Sequence, residues 1–144
     1  MFTSVPSRAA AAYRRIAAET SVQGADPHQL VSLLFEALLR QLRQAQGALE
    51  RQDLAVKGES LCKAVRIIEE GLKAGLNLRD GGEIAANLHQ LYGYVVMRLT
   101  QANLRNDRMA LTESIALIEP VAQSWGQIKG PGPAYLQPVM AVGA

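Results

Sequence analysis

Leu30, Leu34, Leu38, Leu42, Ala45 and Leu49 recur at near-heptad spacing, the first of four apolar stripes along the chain. Steps of three and four residues place side chains on one face of an α-helix. Asp26-Pro27-His28-Gln29 supplies the start signal. Asp26 is a capping side chain, Pro27 sits in the first turn where its missing N–H costs nothing, and Gln29 closes a capping box. This helix is expected to end near Arg51. Asp53 then caps a second helix, striped by Leu54, Leu61, Val65, Ile68, Leu72 and Leu76. Gly58, Gly71 and Gly75 fall inside it, each costing about 1 kcal/mol against alanine. Either a neighbour approaches closely there or the weak spots are tolerated.

Gly81-Gly82 breaks that helix, and Asp80 stands three residues before Glu83, the spacing of an N-terminal capping box. The third stripe follows: Ile84, Leu88, Leu91, Tyr92, Val95 and Leu99, ending around Asn103. Asn106 or Asp107 caps a fourth helix carrying Leu111, Ile115, Ile118, Ala122 and Trp125. Pro120 lies within it, which predicts either a kink or an early end. Short turns between long helices force each helix to reverse direction. The expected fold is all-α, an antiparallel up-and-down four-helix bundle over residues 25–129. Residues 1–24 read as an N-terminal arm, mobile or with a short helix over residues 8–18. Residues 130–144, rich in glycine and proline, cannot continue a helix.

Composition narrows the function classes. With 49% apolar and 19% charged residues in 144, the chain has material for one core and one domain. A net charge of +2, with basic residues scattered and not interleaved with aromatics, argues against nucleic acid. One cysteine, Cys62, excludes an internal disulfide and fits a reducing compartment. No apolar run approaches the roughly 18 residues of a membrane span. The N-terminus lacks the ordered regions of a secretory signal, although its Ala, Ser and Arg content mimics a transit peptide. A cytoplasmic protein is expected.

Catalytic chemistry finds little to work with. His28, in a first turn, reads as a surface residue. His89 on the third helix is the one candidate for a phosphate-accepting histidine, with no lysine in the next turn to steady a phosphoryl group. There is no His-x₃-His pair, cysteine cluster or di-iron Glu-x-x-His set, so no metal and no cofactor are expected. Gly81-Gly82 lacks the Lys and Ser/Thr of a phosphate loop. The chain is not expected to be an enzyme.

What it has instead is surplus apolar surface. Val31, Phe35, Ile67, Tyr94, Val96 and Met97 fall outside the inner stripes, with Leu91 and Tyr92 at their edge. These eight are the expected partner-binding residues, with core packing the competing reading for each.

The ordered series of motifs resembles the flagellin-specific export chaperones, the FliS family. Carrying the resemblance are Ala25-Asp26-Pro27-His28-Gln29-Leu30, Leu34-Phe35-Glu36, Ile67-Ile68 and Gly71-Leu72-Lys73-Ala74-Gly75-Leu76. So do Gly81 through Ala85, Asn87-Leu88, Leu91-Tyr92, Tyr94, Arg98-Leu99, Ala102-Asn103, Asp107 and Trp125. The resemblance implies a cytosolic helical bundle that binds the C-terminal segment of newly made flagellin. It further implies that the bundle blocks premature polymerisation and delivers its cargo to the flagellar type III export gate. Other flagellar regulators as partners, and a homodimer when free, are also in view. Tyr13 matches a family tyrosine linked to the gate, and with Ile16 it is expected to cover the empty groove. Where relatives have a bulky apolar residue three positions before that tyrosine, this chain has Ala10; Ala37-Leu38 replaces a family Gly-Ala pair. A phosphorelay or self-associating bundle is the alternative.

Overall fold

The computed structural model describes residues 26–128, which form four helices and, among those residues, no strand. The arm with Tyr13 and Ile16, and the tail over 130–144, lie outside the described residues. The helices are α1 (Pro27–Glu50), α2 (Leu54–Arg66), α3 (Gly82–Arg105) and α4 (Arg108–Gln127). A π-helical segment, Ile67–Lys73, continues α2.

Each start follows from local chemistry. Asp26 accepts from the Gln29 N–H at 2.8 Å while the Gln29 side chain accepts from the Asp26 N–H at 3.3 Å, completing the capping box. Asp53 accepts from the Val56 N–H at 3.2 Å and Asp107 from the Ala110 N–H at 3.1 Å. Asn106, the alternative cap of α4, instead closes α3 in the left-handed conformation with φ 53°, which asparagine tolerates better than most residues.

The box expected at Asp80 does not form. Asp80 is held in a turn by Asn77, whose Oδ1 accepts the Asp80 N–H at 3.0 Å. Gly81 becomes the N-cap without a side-chain bond, and Gly82 follows with φ +61°, a conformation that glycine adopts without steric cost. Glu83 keeps a role as an acid in the first turn of α3, where the helix dipole favours it.

The second helix also departs from expectation. Its apolar positions 64, 68, 72 and 76 recur every four residues, and four residues overshoot a 3.6-residue turn, drifting by about 40° per step. Widening to i→i+5 bonding over Ile67–Lys73 absorbs that drift and keeps Ile68 and Leu72 in the core. Gly71 lies in this widened turn, and a Cβ built there would stand 3.1 Å from both Leu34 methyls. Here the close-neighbour explanation of a glycine holds. Gly58 is looser, with its nearest neighbour, Asn103 Oδ1, at 3.7 Å.

Contacts between helices fix their directions. His28 meets Trp125 and Gln46 meets Thr112, so α1 and α4 are antiparallel. Lys57 meets Asn103 while Gly93 faces Lys73, so α2 and α3 are too. Each helix packs on its two sequence neighbours, with α4 returning to α1, the up-and-down arrangement. The core runs through Leu34, Leu38, Leu42, Leu61, Ile68, Tyr92, Val95, Leu99, Leu111, Ile118 and Trp125. Two stripe members are exposed: Leu54 is 51% and Ile84 50% accessible, because each lies at a helix start where the facing helices end.

α4 passes through Pro120 without ending. The lost bond frees the carbonyl of Ala116, and both residues lie on the exposed face, where water can satisfy it. At the other end of the bundle the buried Lys57 ammonium donates to Asn103 O at 2.8 Å and Asn106 Oδ1 at 2.6 Å. A cation is thus set against the carbonyl end of α3, where the dipole is negative.

Candidate functional site

α3 is the helix whose apolar surface exceeds what the bundle consumes. Its inward face is Ala85, Tyr92, Val95, Leu99 and Ala102. Tyr94 and Met97, 40% and 46% exposed, stand outside that face, and Val96 is half-buried at its margin. Two apolar grooves flank the helix. One, of about 230 Å³, lies between α2 and α3 and is lined by Leu61, Cys62, Val65, Leu99, Thr100 and Asn103. Val96 is one turn from Thr100, whose hydroxyl bonds the Val96 carbonyl at 2.8 Å, so it borders the same groove. The other groove, of about 280 Å³ between α3 and α4, is lined by Ile84, Leu88, Pro120, Val121, Ser124, Trp125 and Ile128.

The structure divides the eight expected contact residues. Val31, Phe35 and Tyr92 are core residues, not surface ones: their side chains are withdrawn from solvent into the main apolar cluster. Burial pushes the Tyr92 phenol well above its ordinary pKa. Ile67 and Leu91 are half-buried and packed against the same cluster. Val96, Met97 and the ring of Tyr94 are left with accessible surface, Val96 at the border of the α2–α3 groove.

Tyr94 is a mixed case. Its hydroxyl donates to both Glu113 oxygens at 3.1 and 3.0 Å, and Arg98 Nε donates to Glu113 at 2.6 Å. The Arg98 guanidinium first, and the Tyr94 hydroxyl after it, hold the Glu113 carboxyl below its usual range. This knot ties α3 to α4 and fixes the ring that lies beside it.

His28 is more than a surface residue. Its ring stacks on Trp125 with centroids 4.6 Å apart and planes at 17°. Trp125 Nε1 donates to His28 O at 3.0 Å, and His28 Nε2 lies 2.9 Å from Trp125 O. A carbonyl only accepts, so Nε2 carries the proton. His28 therefore clasps α1 to α4. His89 is half-buried on α3. Among the described residues, no group of three or more His, Cys, Asp or Glu is placed to hold a metal, and no helix is long and apolar enough to cross a membrane.

Several groove residues escape a reading by stripes alone. Cys62 and Val65 sit on the α3 side of Leu61, a matter of helical phase. Val121, Trp125 and Ile128 form a second stripe with steps of four and three, overlapping the inner one at Trp125. That overlap was the available signal.

Apolar grooves beside a well-packed helix, together with polar groups spent on caps and clasps, define a binding protein built on a helical bundle. The comparisons say which kind. Residues 9–131 match the family described as flagellar protein FliS. The chain is 48% identical over 117 residues to the flagellar secretion chaperone FliS of Salmonella typhimurium, covering 81% of this chain and 87% of the relative. It is 41% identical to FliSB of Pseudomonas aeruginosa (81% and 91% covered) and 33% identical to FliS of Bacillus subtilis (76% and 80%). This chain belongs to the FliS family of flagellar secretion chaperones, a chaperone family and not an enzyme family. That membership sets aside the phosphorelay alternative.

Proposed function

We propose that this chain binds the C-terminal segment of newly made flagellin in the bacterial cytosol. It holds that segment back from polymerising and delivers it to a component of the flagellar type III export gate. The observation that carries the reading is the accessible apolar surface on α3, with Met97 exposed and half-buried Val96 one turn from Thr100 in the α2–α3 groove. An amphipathic segment laid along such a groove buries its own apolar face and gains affinity from a few anchors, part of which offsets the entropy of ordering it. Val96, Met97 and the Tyr94 ring are the proposed contacts, with Ile67 and Leu91 beneath them. In this reading Tyr13 and Ile16 serve the gate or cover the empty groove.

The test is a calorimetric titration of the full chain with a flagellin C-terminal peptide at several temperatures. One-to-one binding with a negative heat-capacity change is expected. Losing one buried apolar anchor costs about 1.5–3 kcal/mol, so Met97→Asp or Val96→Asp should weaken binding roughly 10- to 100-fold at unchanged helicity. Absence of heat at every temperature would refute the flagellin assignment. Collapse of helicity in the variants would make those residues core.

A further inference from the structure

The α3–α4 groove lies where the described chain ends. Ile128 lines it, the Ile128 N–H donates to Trp125 O at 3.1 Å, and the Ile128 backbone is extended with φ −77° and ψ 130°. Ile84 on its far wall is half exposed. The sequence continues with Lys129 and then fifteen residues, GPGPAYLQPVMAVGA, that carry no charge and include eight apolar side chains. Low hydrophobicity and high net charge keep a segment solvated; six of these residues are glycine or proline, but the segment carries no charge and over half of it is apolar.

We propose that this C-terminal segment doubles back and seats its apolar residues, Tyr135 to Met140, in the α3–α4 groove of the same molecule. Pro131-Gly132 is the pair that occupies the centre of a type II turn, so the reversal is written directly after the helix. The dimensions agree. The groove spans Pro120 to Ile128 along α4, about 12 Å at ~1.5 Å per residue. Tyr135 to Met140 covers about 16 Å when extended at ~3.3 Å per residue, enough to run the length of the groove. A segment joined through so short a linker works at an effective concentration in the millimolar range, so a weak contact suffices to fill the groove. The segment thereby shields apolar wall that is separate from the α2–α3 groove proposed for flagellin, and the inference does not depend on that assignment.

The test uses the full chain. In a Cys62→Ser background, a spin label on Ala141→Cys should broaden the methyl resonances of Ile84, Leu88 and Val121, leaving those of α2 sharp. In unlabelled protein, Leu136→Asp with Met140→Asp should shift the same methyls at unchanged helicity. Adding the peptide of residues 130–144 to that variant should return them. Unbroadened methyls together with no shift in the double variant would overturn the proposal. So would broadening that arises only between labelled and isotope-enriched molecules mixed together, which would assign the groove to a second copy.

Discussion

The close approach at Gly71 gives a quantitative test of how the bundle is packed. A methyl added there meets both Leu34 methyls at 3.1 Å, and Leu34 is fully buried in the core, with no free space to turn into. Two effects oppose each other in Gly71→Ala. Relief of backbone entropy favours alanine by roughly 0.5–1 kcal/mol. Overpacking a filled core costs about 1–3 kcal/mol, so the net expectation is a loss between roughly zero and 2.5 kcal/mol. Gly58→Ala is the control, because its new methyl would lie 3.7 Å from Asn103 Oδ1, an ordinary contact, and the entropy gain is kept whole. The two variants should therefore differ by about 1–3 kcal/mol in urea unfolding followed by helical circular dichroism, with unchanged dependence on denaturant. Leu34→Ala alone should cost about 2–5 kcal/mol. In that background the Gly71→Ala penalty should vanish, a coupling that only direct contact produces. If Gly71→Ala stabilises as much as Gly58→Ala, the close packing of the π-helical turn on α1 is refuted.

Other expectations concern the polar ties. Lys57→Met removes the ammonium that closes α3. Each charge-assisted bond contributes about 1.5–3 kcal/mol, offset in part by the desolvation no longer required, so a net loss on the order of 1–3 kcal/mol should appear in chemical unfolding; no loss would show the cap to be inert. Glu113 has a lowered pKa in the folded chain, so its contribution is present above the ordinary carboxylate value of about 4.3 and lost as pH falls through the lower folded value. Glu113→Gln should then be less stable than the parent at neutral pH and converge with it in acid. Stability curves that stay parallel throughout would count against the Arg98–Glu113 knot. Tyr92 has the opposite sign: its raised folded pKa leaves its contribution intact below about pH 10 and diminishing above it. Tyr92→Phe should flatten the alkaline limb of the stability profile, and an unchanged limb would mean the phenol ionises freely.

The helices were legible because their signals were local. Asp26, Asp53 and Asp107 each cap as their spacing implies, and the stripes on α1 and α4 mark the buried faces. Where a competing turn or a tertiary effect won, the sequence misled. Asp80 had the right spacing for a box, but a turn with Asn77 claimed it. The stripe Leu61, Val65, Ile68, Leu72 and Leu76 read as plain helix, and the widened turn over Ile67–Lys73 shows only when Ala64, Ile68, Leu72 and Leu76 all face one core. The proposed binding surface was harder still. Val31, Phe35 and Tyr92 lie beside the inner stripes in sequence, yet the facing helices close over them. Met97 and Val96 differ from them only in helical phase and in which neighbour arrives. Surplus apolar residues can be counted from a sequence, but the gap between helices where they stay accessible is a property of the packed bundle.

The clasp between His28 and Trp125 joins residues 97 positions apart, the first turn of the bundle and its last. During synthesis α1 therefore leaves the ribosome with one flank waiting for a partner that is made only at the end. Until α4 arrives, the unfinished molecule shows an apolar flank of its own. The stacked rings make completion of the final helix the event that seals the ring of helices, so a chain cut short late in α4 leaves the first turns of α1 uncovered on that flank.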